Sequence, residues 1–139
     1  MDRGVIIFLI AVLAIGLVTL VIVVLSKRAG ARLNVAKYQT RWLSIESSLK
    51  QDEPTSAQLS ILNADKLVDM ALKERGFKGA TMGERMKSAQ TTWSNANHIW
   101  GAHKIRNRIA HEPDVQISYD IAKRALVAYK QALKDLGAI

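Results

Sequence analysis

Residues 4–25 read GVIIFLIAVLAIGLVTLVIVVL, an apolar run without a single charged residue. At about 1.5 Å per residue, a helix of this run is about 33 Å long, which matches the roughly 30 Å hydrocarbon core of a bilayer. The run therefore predicts a single transmembrane helix. It sets an anchor, residues 1–27, apart from the charged sequence that follows.

A cleaved signal peptide is the alternative reading of this run. Signal peptides have apolar cores of only about 7–15 residues, and their small-residue cleavage site follows that core. Here the small residues at positions 29–31 come only after the two charges Lys27 and Arg28. A retained anchor is therefore favoured over cleavage. A buried soluble helix is less favoured still, because no second stretch is apolar enough to surround it.

The charges that flank the run predict its orientation. Only Arg3, beside Asp2, precedes the run, whereas five basic residues follow it: Lys27, Arg28, Arg32, Lys37 and Arg41. Basic flanks remain on the cytoplasmic side, so the N-terminus should lie outside and the C-terminal domain in the cytoplasm. Lys27, Arg28 and Arg32 would also attract anionic lipid headgroups, unless they serve only to set the topology.

The composition places the remaining charge in the second part of the chain. Of 139 residues, 20 are Lys or Arg and 12 are Asp or Glu, which gives a net charge of +8. Asp2 and Arg3 are the only charged residues of the sequence that come before the apolar run, so all the others follow it. A basic domain favours a polyanionic partner, either a nucleic acid or an anionic membrane surface. The absence of cysteine excludes disulfides, thiolate zinc sites and iron–sulfur clusters.

Helical periodicity continues through the rest of the chain. The first stripe, from Leu33 to Leu49, ends before Asp52, which is a candidate N-cap for a helix over residues 54–75 that Gly76 closes. Thr81 and Glu84 have capping-box spacing and predict a helix to about residue 90. A fourth helix should run from residue 94 or 95 to 111, ahead of a proline, and a fifth from an N-cap at residue 118.

The predicted fold is accordingly all-α. A single N-terminal transmembrane helix is followed by an up-and-down bundle of four or five helices. We divide the chain into the anchor, residues 1–27, a juxtamembrane basic segment with the first bundle helix, residues 28–53, and the remainder of the bundle, residues 54–139.

One stretch, NHIWGAHKIRNRIAHE at residues 97–112, contains all three histidines. His103, Asn107 and His111 lie four residues apart on a helix, with Trp100 near the same azimuth. Lys104 and Arg108 point elsewhere. The helix thus has an ordered polar face in addition to its aliphatic one, as expected where a helix lines a site or a subunit interface.

Two other readings of this stretch remain open. His103 and His111 could simply hydrogen-bond to neighbouring helices while Arg106 caps carbonyls in the last turn. Metal binding is disfavoured, because the histidines and Glu112 lack the close i, i+4 pairing of metal ligands. The sequence therefore predicts no metal and no cofactor.

The run from Arg106 to His111, RNRIAH, resembles the signature of the HEPN superfamily (higher eukaryotes and prokaryotes nucleotide-binding). Members are α-helical bundles with an Arg, four to six residues and then a His, often with Asn after the Arg. Arg106, Asn107 and His111 match this pattern. The segments ADKL at 64–67, RGFKG at 75–79 and MGER at 82–85 also resemble bacterial HEPN-like proteins, and the likeness covers about residues 35–137.

This resemblance implies metal-independent cleavage of RNA by a homodimer, with a role in defence or stress response. Arg106, His111 and Asn107 would be catalytic, and His103, Lys104, Arg108 and Trp100 would bind the substrate. An Arg pairs well with phosphate, and a His can transfer a proton to or from the RNA 2′-hydroxyl, which leaves a 2′,3′-cyclic phosphate. The alternative is a non-catalytic HEPN-like module that dimerises or binds RNA or nucleotides at the membrane.

Helix geometry adds a condition to this scheme. Arg106 and His111 are five residues apart, about 140° around an ideal helix. One chain therefore cannot present both side chains to the same point unless the helix unwinds near Pro113 or a partner subunit contributes one of them.

Overall fold

The computed structural model describes residues 2–28 and 30–139, and of residues 25–28 only the backbone. This part of the chain forms six helices and no strand. The helices are α1 (Arg3–Arg28), α2 (Val35–Ser48), α3 (Pro54–Glu74), α4 (Met82–Ser88), α5 (Ala96–His111) and α6 (Tyr119–Asp135). The chain divides into two compact units, Met1–Ala31 and Arg32–Ile139. The predicted fold, an N-terminal apolar helix and a helical bundle, is confirmed.

The helix α1 has the length and composition of a membrane span. Its segment Arg3–Val24 is long and apolar enough to cross a bilayer, and none of that segment is buried. A membrane span and an N-terminal signal sequence share these properties. The predicted lipid contacts of Lys27 and Arg28 concern side chains outside the described part, whereas Arg32 is described and exposed.

Local capping signals set the starts of the bundle helices. Four helices have an N-cap residue whose side chain accepts a hydrogen bond from the backbone N–H three residues later. These N-caps are Asn34 for α2, Thr81 for α4, Asn95 for α5 and Ser118 for α6. The predicted caps at Thr81 and Ser118 are confirmed. The predicted cap at Asp52 is wrong: Pro54 is the first residue of α3, so Glu53 takes the N-cap position, without a side-chain capping bond.

Glycine ends α3 as predicted. Gly76 has a φ of +82°, a left-handed conformation that costs glycine little. The backbone N–H of Gly76 donates to the Lys73 carbonyl, and that of Phe77 to the Leu72 carbonyl. This is the Schellman arrangement, which satisfies the last carbonyls of the helix. The predicted helix over residues 81–90 is shorter than expected, because α4 ends at Ser88.

The core of the bundle is built around α3, which packs against α2, α4, α5 and α6. Its buried face includes Ile61, Ala64, Val68 and Leu72, each with essentially no exposed surface. The neighbours contribute large buried side chains: Tyr38 and Trp42 from α2, Met86 from α4, Ile99 from α5, and Tyr129 and Leu133 from α6. The helix α3 is therefore held on several sides, which fixes the side chains it presents to α5.

Candidate functional site

A cleft of about 910 Å³ is lined by residues of α3, α4 and α5 and by the N-cap of α4. It brings together the four residues of the polar face predicted for α5, Trp100, His103, Asn107 and His111, and adds Arg106 from the same helix. The helix α3 contributes Leu59, Leu62, Asn63, Asp65, Lys66 and Asp69, and the start of α4 contributes Thr81, Met82 and Gly83. The cleft therefore combines two cations, two carboxylates, two imidazoles and one indole ring with apolar side chains from α3 and α4.

Asp65 is the residue that three other side chains of this site contact. Asp65 lies among the buried residues of α3 and is 3% exposed. One oxygen, Oδ1, accepts from Nδ1 of His103 at 2.8 Å and from the Tyr129 hydroxyl at 3.0 Å. The other, Oδ2, pairs with Nε of Arg106 at 3.2 Å. A buried carboxylate is tolerated only when it is paired in this way, so these donors hold the charge of Asp65 in place.

Tyr129 reaches this carboxylate from α6. Burial raises the pKa of Tyr129 well above its usual range, and the charge of Asp65 and the hydrogen bond to it raise the pKa further. The positive charge of Arg106 acts in the opposite direction. Tyr129 therefore remains a neutral hydrogen-bond donor and links α6 to Asp65.

Arg106 is held on one side and open on the other. Its Nε faces Asp65, and its Nη1 donates to Oδ1 of Asn107 at 3.1 Å. The side chain is 36% exposed and borders the cleft. A guanidinium has five N–H donors, and these contacts use only a part of them. The arrangement can therefore present a positioned cation to an anion in the cleft.

His103 and Trp100 form the wall of the cleft one turn earlier on α5. The two rings make an edge-to-face contact, with centroids 6.2 Å apart and planes at 75°. His103 is buried, whereas Trp100 is 38% exposed. The contact of His103 with α3 agrees with the reading in which this histidine bonds to a neighbouring helix. Arg106, within the described contacts, pairs with a carboxylate rather than with helix carbonyls.

His111 is the last residue of α5 and is exposed at the cleft. The helix stays regular up to this residue, so the unwinding considered from the sequence does not occur before it. Arg106 and His111 border the same cleft of one chain.

Lys104 and Arg108, predicted to bind substrate, lie away from the cleft lining. Both are exposed, and Arg108 pairs with Glu112 one turn later, with Nε 3.2 Å from Oε2. His98 borders two smaller surface depressions elsewhere. Within the described residues there is no group of three or more His, Asp or Glu side chains placed to hold a metal ion.

A second ion pair braces the α4 wall of the cleft. Arg85, buried on α4, contacts Oδ1 of Asp69 through Nε and Nη2, each at 2.7 Å, and donates through Nη1 to the Gly79 carbonyl at 2.6 Å. Lys73 pairs with the other oxygen of Asp69 at 2.8 Å. This pairing fixes α4, and with it Thr81 and Gly83, against α3.

Sequence reasoning missed Asp65 and Tyr129 as parts of the site. A signal for Asp65 was present, because this carboxylate lies on the same helix face as Ile61, Val68 and Leu72, where an apolar residue is expected. Tyr129 carries no comparable signal. It stands in an apolar stripe of α6, as any core tyrosine would.

Comparisons of the chain with protein-family models, with curated proteins and with solved structures find no match.

Proposed function

We propose that the bundle is a HEPN-like domain that binds RNA in this cleft and cleaves it as a metal-independent homodimeric endoribonuclease, tethered to a membrane by α1. One observation carries the proposal. The cleft places an anchored but partly open arginine beside two histidines, an asparagine and an exposed indole ring. These are the groups needed to bind a phosphodiester and to transfer protons around it.

The phosphate would be bound by Arg106. Its guanidinium is oriented through Nε by Asp65 and through Nη1 by Asn107, so its remaining N–H groups are preorganised for phosphate oxygens. Lys66, exposed on the α3 side of the cleft, adds a second positive charge. Asn107 would thereby position Arg106.

The reaction is a transesterification that needs no added co-reactant. The 2′-oxygen forms a bond to phosphorus as its proton leaves to a base, and the bond from phosphorus to the 5′-oxygen breaks as that oxygen gains a proton. The products are a 2′,3′-cyclic phosphate and a 5′-hydroxyl. His111, exposed at the cleft, is suited to exchange a proton with one of these oxygens.

The exposed ring of Trp100 suits the base of a single-stranded RNA. Aromatic side chains stack on unpaired bases, and RNA-binding proteins use such platforms widely. Trp100 lies one turn before His103 and in edge contact with it, so a stacked base would place its ribose near the imidazole.

A partner subunit and the membrane complete the proposal. Arg106 and His111 border one cleft of a single chain, so the homodimer rests on the resemblance of RNRIAH to the HEPN signature. The basic flank of α1 favours a cytoplasmic bundle.

Cleavage of RNA by the full chain in detergent micelles tests this function. In excess chelator, the wild type should release ends with 2′,3′-cyclic phosphate, and Arg106→Ala and His111→Ala should each lower the rate by at least about 10²-fold. Arg124→Ala, which removes an exposed arginine of α6, is the matched control and should cleave normally. Equal rates for all four proteins in chelator would reject the catalytic assignment.

A non-catalytic RNA-binding module is the second candidate, and the Asp65 contacts favour it. Asp65 binds both His103 and Arg106, so both residues also serve to join α3 to α5. This candidate predicts RNA retention that weakens with salt, without new cyclic-phosphate ends.

A further inference from the structure

The two nitrogens of the His103 ring have different surroundings. Nδ1 lies 2.8 Å from Oδ1 of Asp65, and a carboxylate can only accept, so Nδ1 carries the hydrogen. The neutral ring then has its lone pair at Nε2. Within the described residues no side chain or backbone group hydrogen-bonds to Nε2.

Gly83 leaves space in front of Nε2. A Cβ atom at position 83 would lie 3.9 Å from Nε2 of His103, from Cζ3 of Trp100 and from Oγ1 of Thr81. Each of these distances is an ordinary van der Waals contact, so a methyl group would fit without displacing a neighbour. The glycine therefore keeps open a space of about one methyl group, bordered by the imidazole, the indole and a hydroxyl, inside the cleft.

The charged groups around the His103 ring come from α3 and α5. The helix α3 presents the Asp65 carboxylate to Nδ1, with Lys66 and Asp69 further along the cleft, and α5 adds Arg106 and His111. Tyr129 from α6 shares Oδ1 of Asp65. The N-cap and first residues of α4 add the uncharged Thr81, Met82 and Gly83. A carboxylate behind an imidazole holds its tautomer and stabilises the imidazolium that forms when Nε2 takes a proton.

From this geometry we infer that His103 is the catalytic base of the cleft, that Asp65 is its positioning residue, and that Gly83 gives the substrate access to Nε2. The inference rests on the proposed RNA cleavage. Nε2 of His103 takes the proton of the RNA 2′-hydroxyl while the bond from the 2′-oxygen to phosphorus forms. His111 gives a proton to the leaving 5′-oxygen as its bond to phosphorus breaks. The two histidines thus exchange protonation states in each cleavage and recover through solvent.

Two substitutions in the full chain in micelles separate chemistry from folding. His103→Asn keeps a side-chain N–H for Asp65 but removes the titrating nitrogen, and should lower the cleavage rate about 10²- to 10³-fold. It should also abolish the fall of the rate at acidic pH that protonation of the base causes. A purely structural role for His103 would leave that pH dependence unchanged.

Gly83→Ala fills the space in front of Nε2 and improves the helix propensity of α4. It should lower cleavage at least about tenfold, while the thermal midpoint of the bundle stays equal or rises. Gly101→Ala is the matched control. Gly101 is also a helical glycine, but its Cβ would meet no atom within 4 Å, and it lies outside the cleft lining. Cleavage by this variant should match the wild type.

Imidazole ¹⁵N NMR with uridine 3′-monophosphate tests the contact without relying on cleavage. The Nε2 resonance of His103 should shift on titration in the wild type and in Gly101→Ala, but not in Gly83→Ala. If the wild type cleaves RNA and both His103→Asn and Gly83→Ala cleave at its rate, the role of His103 is wrong and the proposed function stands. If no RNA is cleaved, the proposed nuclease fails. In that case the NMR titration still tests the contact between the nucleotide and Nε2 of His103. If the Nε2 resonance of the wild type does not shift at millimolar nucleotide, the contact is wrong. If it shifts in the wild type but not in Gly83→Ala, the contact is supported.

Discussion

Two carboxylates one turn apart on α3, Asp65 and Asp69, each hold an arginine from another helix, but they hold it differently. Arg85 contacts Asp69 at 2.7 Å through two nitrogens, donates its third to the Gly79 carbonyl, and is 9% exposed. Arg106 contacts Asp65 at 3.2 Å through Nε alone and is 36% exposed. All three nitrogens of Arg85 are bound within the fold, whereas Arg106 keeps donors for a ligand.

The neighbours of the two carboxylates extend this difference. Asp69 is shared with Lys73, a surface residue of its own helix. Asp65 is shared with His103 and Tyr129, from two other helices. One pair therefore braces α4 against α3, while the other orients an arginine and an imidazole toward the same cleft. The Asp69–Arg85 pair therefore stabilises the packing of α4 on α3, whereas the Asp65–Arg106 pair, one turn away on α3, orients a side chain of the candidate site.

The largest expected effect is on stability, at the Arg85 end of this comparison. Arg85→Met keeps the aliphatic stem but leaves Asp69 with one surface lysine, and should lower the free energy of unfolding by about 3 kcal/mol. All three tryptophans, Trp42, Trp93 and Trp100, lie in the bundle, so their fluorescence during urea unfolding in micelles reports the bundle and not α1. Arg124→Met, at an exposed position, should change stability by less than about 0.5 kcal/mol. A loss that small in Arg85→Met would remove its assigned role in the fold.

The next effect is on activity, at the Arg106 end. Arg106→Lys keeps the positive charge but loses the planar fork that contacts Asp65 and Asn107 and that would bind the proposed phosphate. It should lower RNA cleavage about 10²-fold, equivalent to about 2.7 kcal/mol of transition-state stabilisation, with an unfolding midpoint close to that of the wild type. A variant with normal cleavage and strongly reduced stability would make Arg106 a second brace like Arg85.

The helices of this chain could be predicted because their signals are local. Thr81 and Ser118 cap α4 and α6 as predicted, and Gly76 ends α3, since each acts on backbone groups a few residues away. The prediction of Asp52 as an N-cap is wrong for an equally local reason. A proline at the first helical position makes the residue directly before it the N-cap, so Pro54 selects Glu53.

The candidate site could be predicted only on one of its sides. Helical periodicity places Trp100, His103, Asn107 and His111 on one face of α5, and all four line the cleft. The partner of His103 is 38 residues earlier in the chain, on a helix whose pattern is otherwise that of a core helix. Periodicity within one helix carries no information about which residues of another helix its side chains will contact. The contact between His103 and Asp65 therefore could not be predicted from the sequence.

A smaller effect should separate the aromatic wall of the cleft from its charged part. Trp100→Ala removes the proposed stacking platform and should weaken binding of single-stranded RNA about tenfold, whereas Trp100→Phe should keep most of the affinity. Leu59→Ala is the control, because Leu59 is an exposed apolar residue of the same cleft without a π face. Fluorescence anisotropy of a labelled oligonucleotide measures all three. Equal losses for Trp100→Ala and Leu59→Ala would point to lost apolar area instead of stacking.

The smallest expected effect concerns the third donor to Asp65 and its dependence on pH. Tyr129→Phe removes a buried hydrogen bond but leaves Asp65 with His103 and Arg106, so the free energy of unfolding at pH 7 should fall by about 1 kcal/mol.

Burial, followed by the charge of Asp65, raises the pKa of Tyr129 in the folded state, whereas the unfolded tyrosine loses its proton near pH 10. The folded chain therefore holds more protons above about pH 10, and the stability of the wild type declines as the pH rises through this value. Tyr38, whose pKa burial also raises, contributes with the same sign. The stability of Tyr129→Phe in urea unfolding should thus decline less steeply than that of the wild type above pH 10. An unchanged slope in Tyr129→Phe would show that this phenol has the same pKa in the folded and the unfolded state, and would contradict the raised pKa.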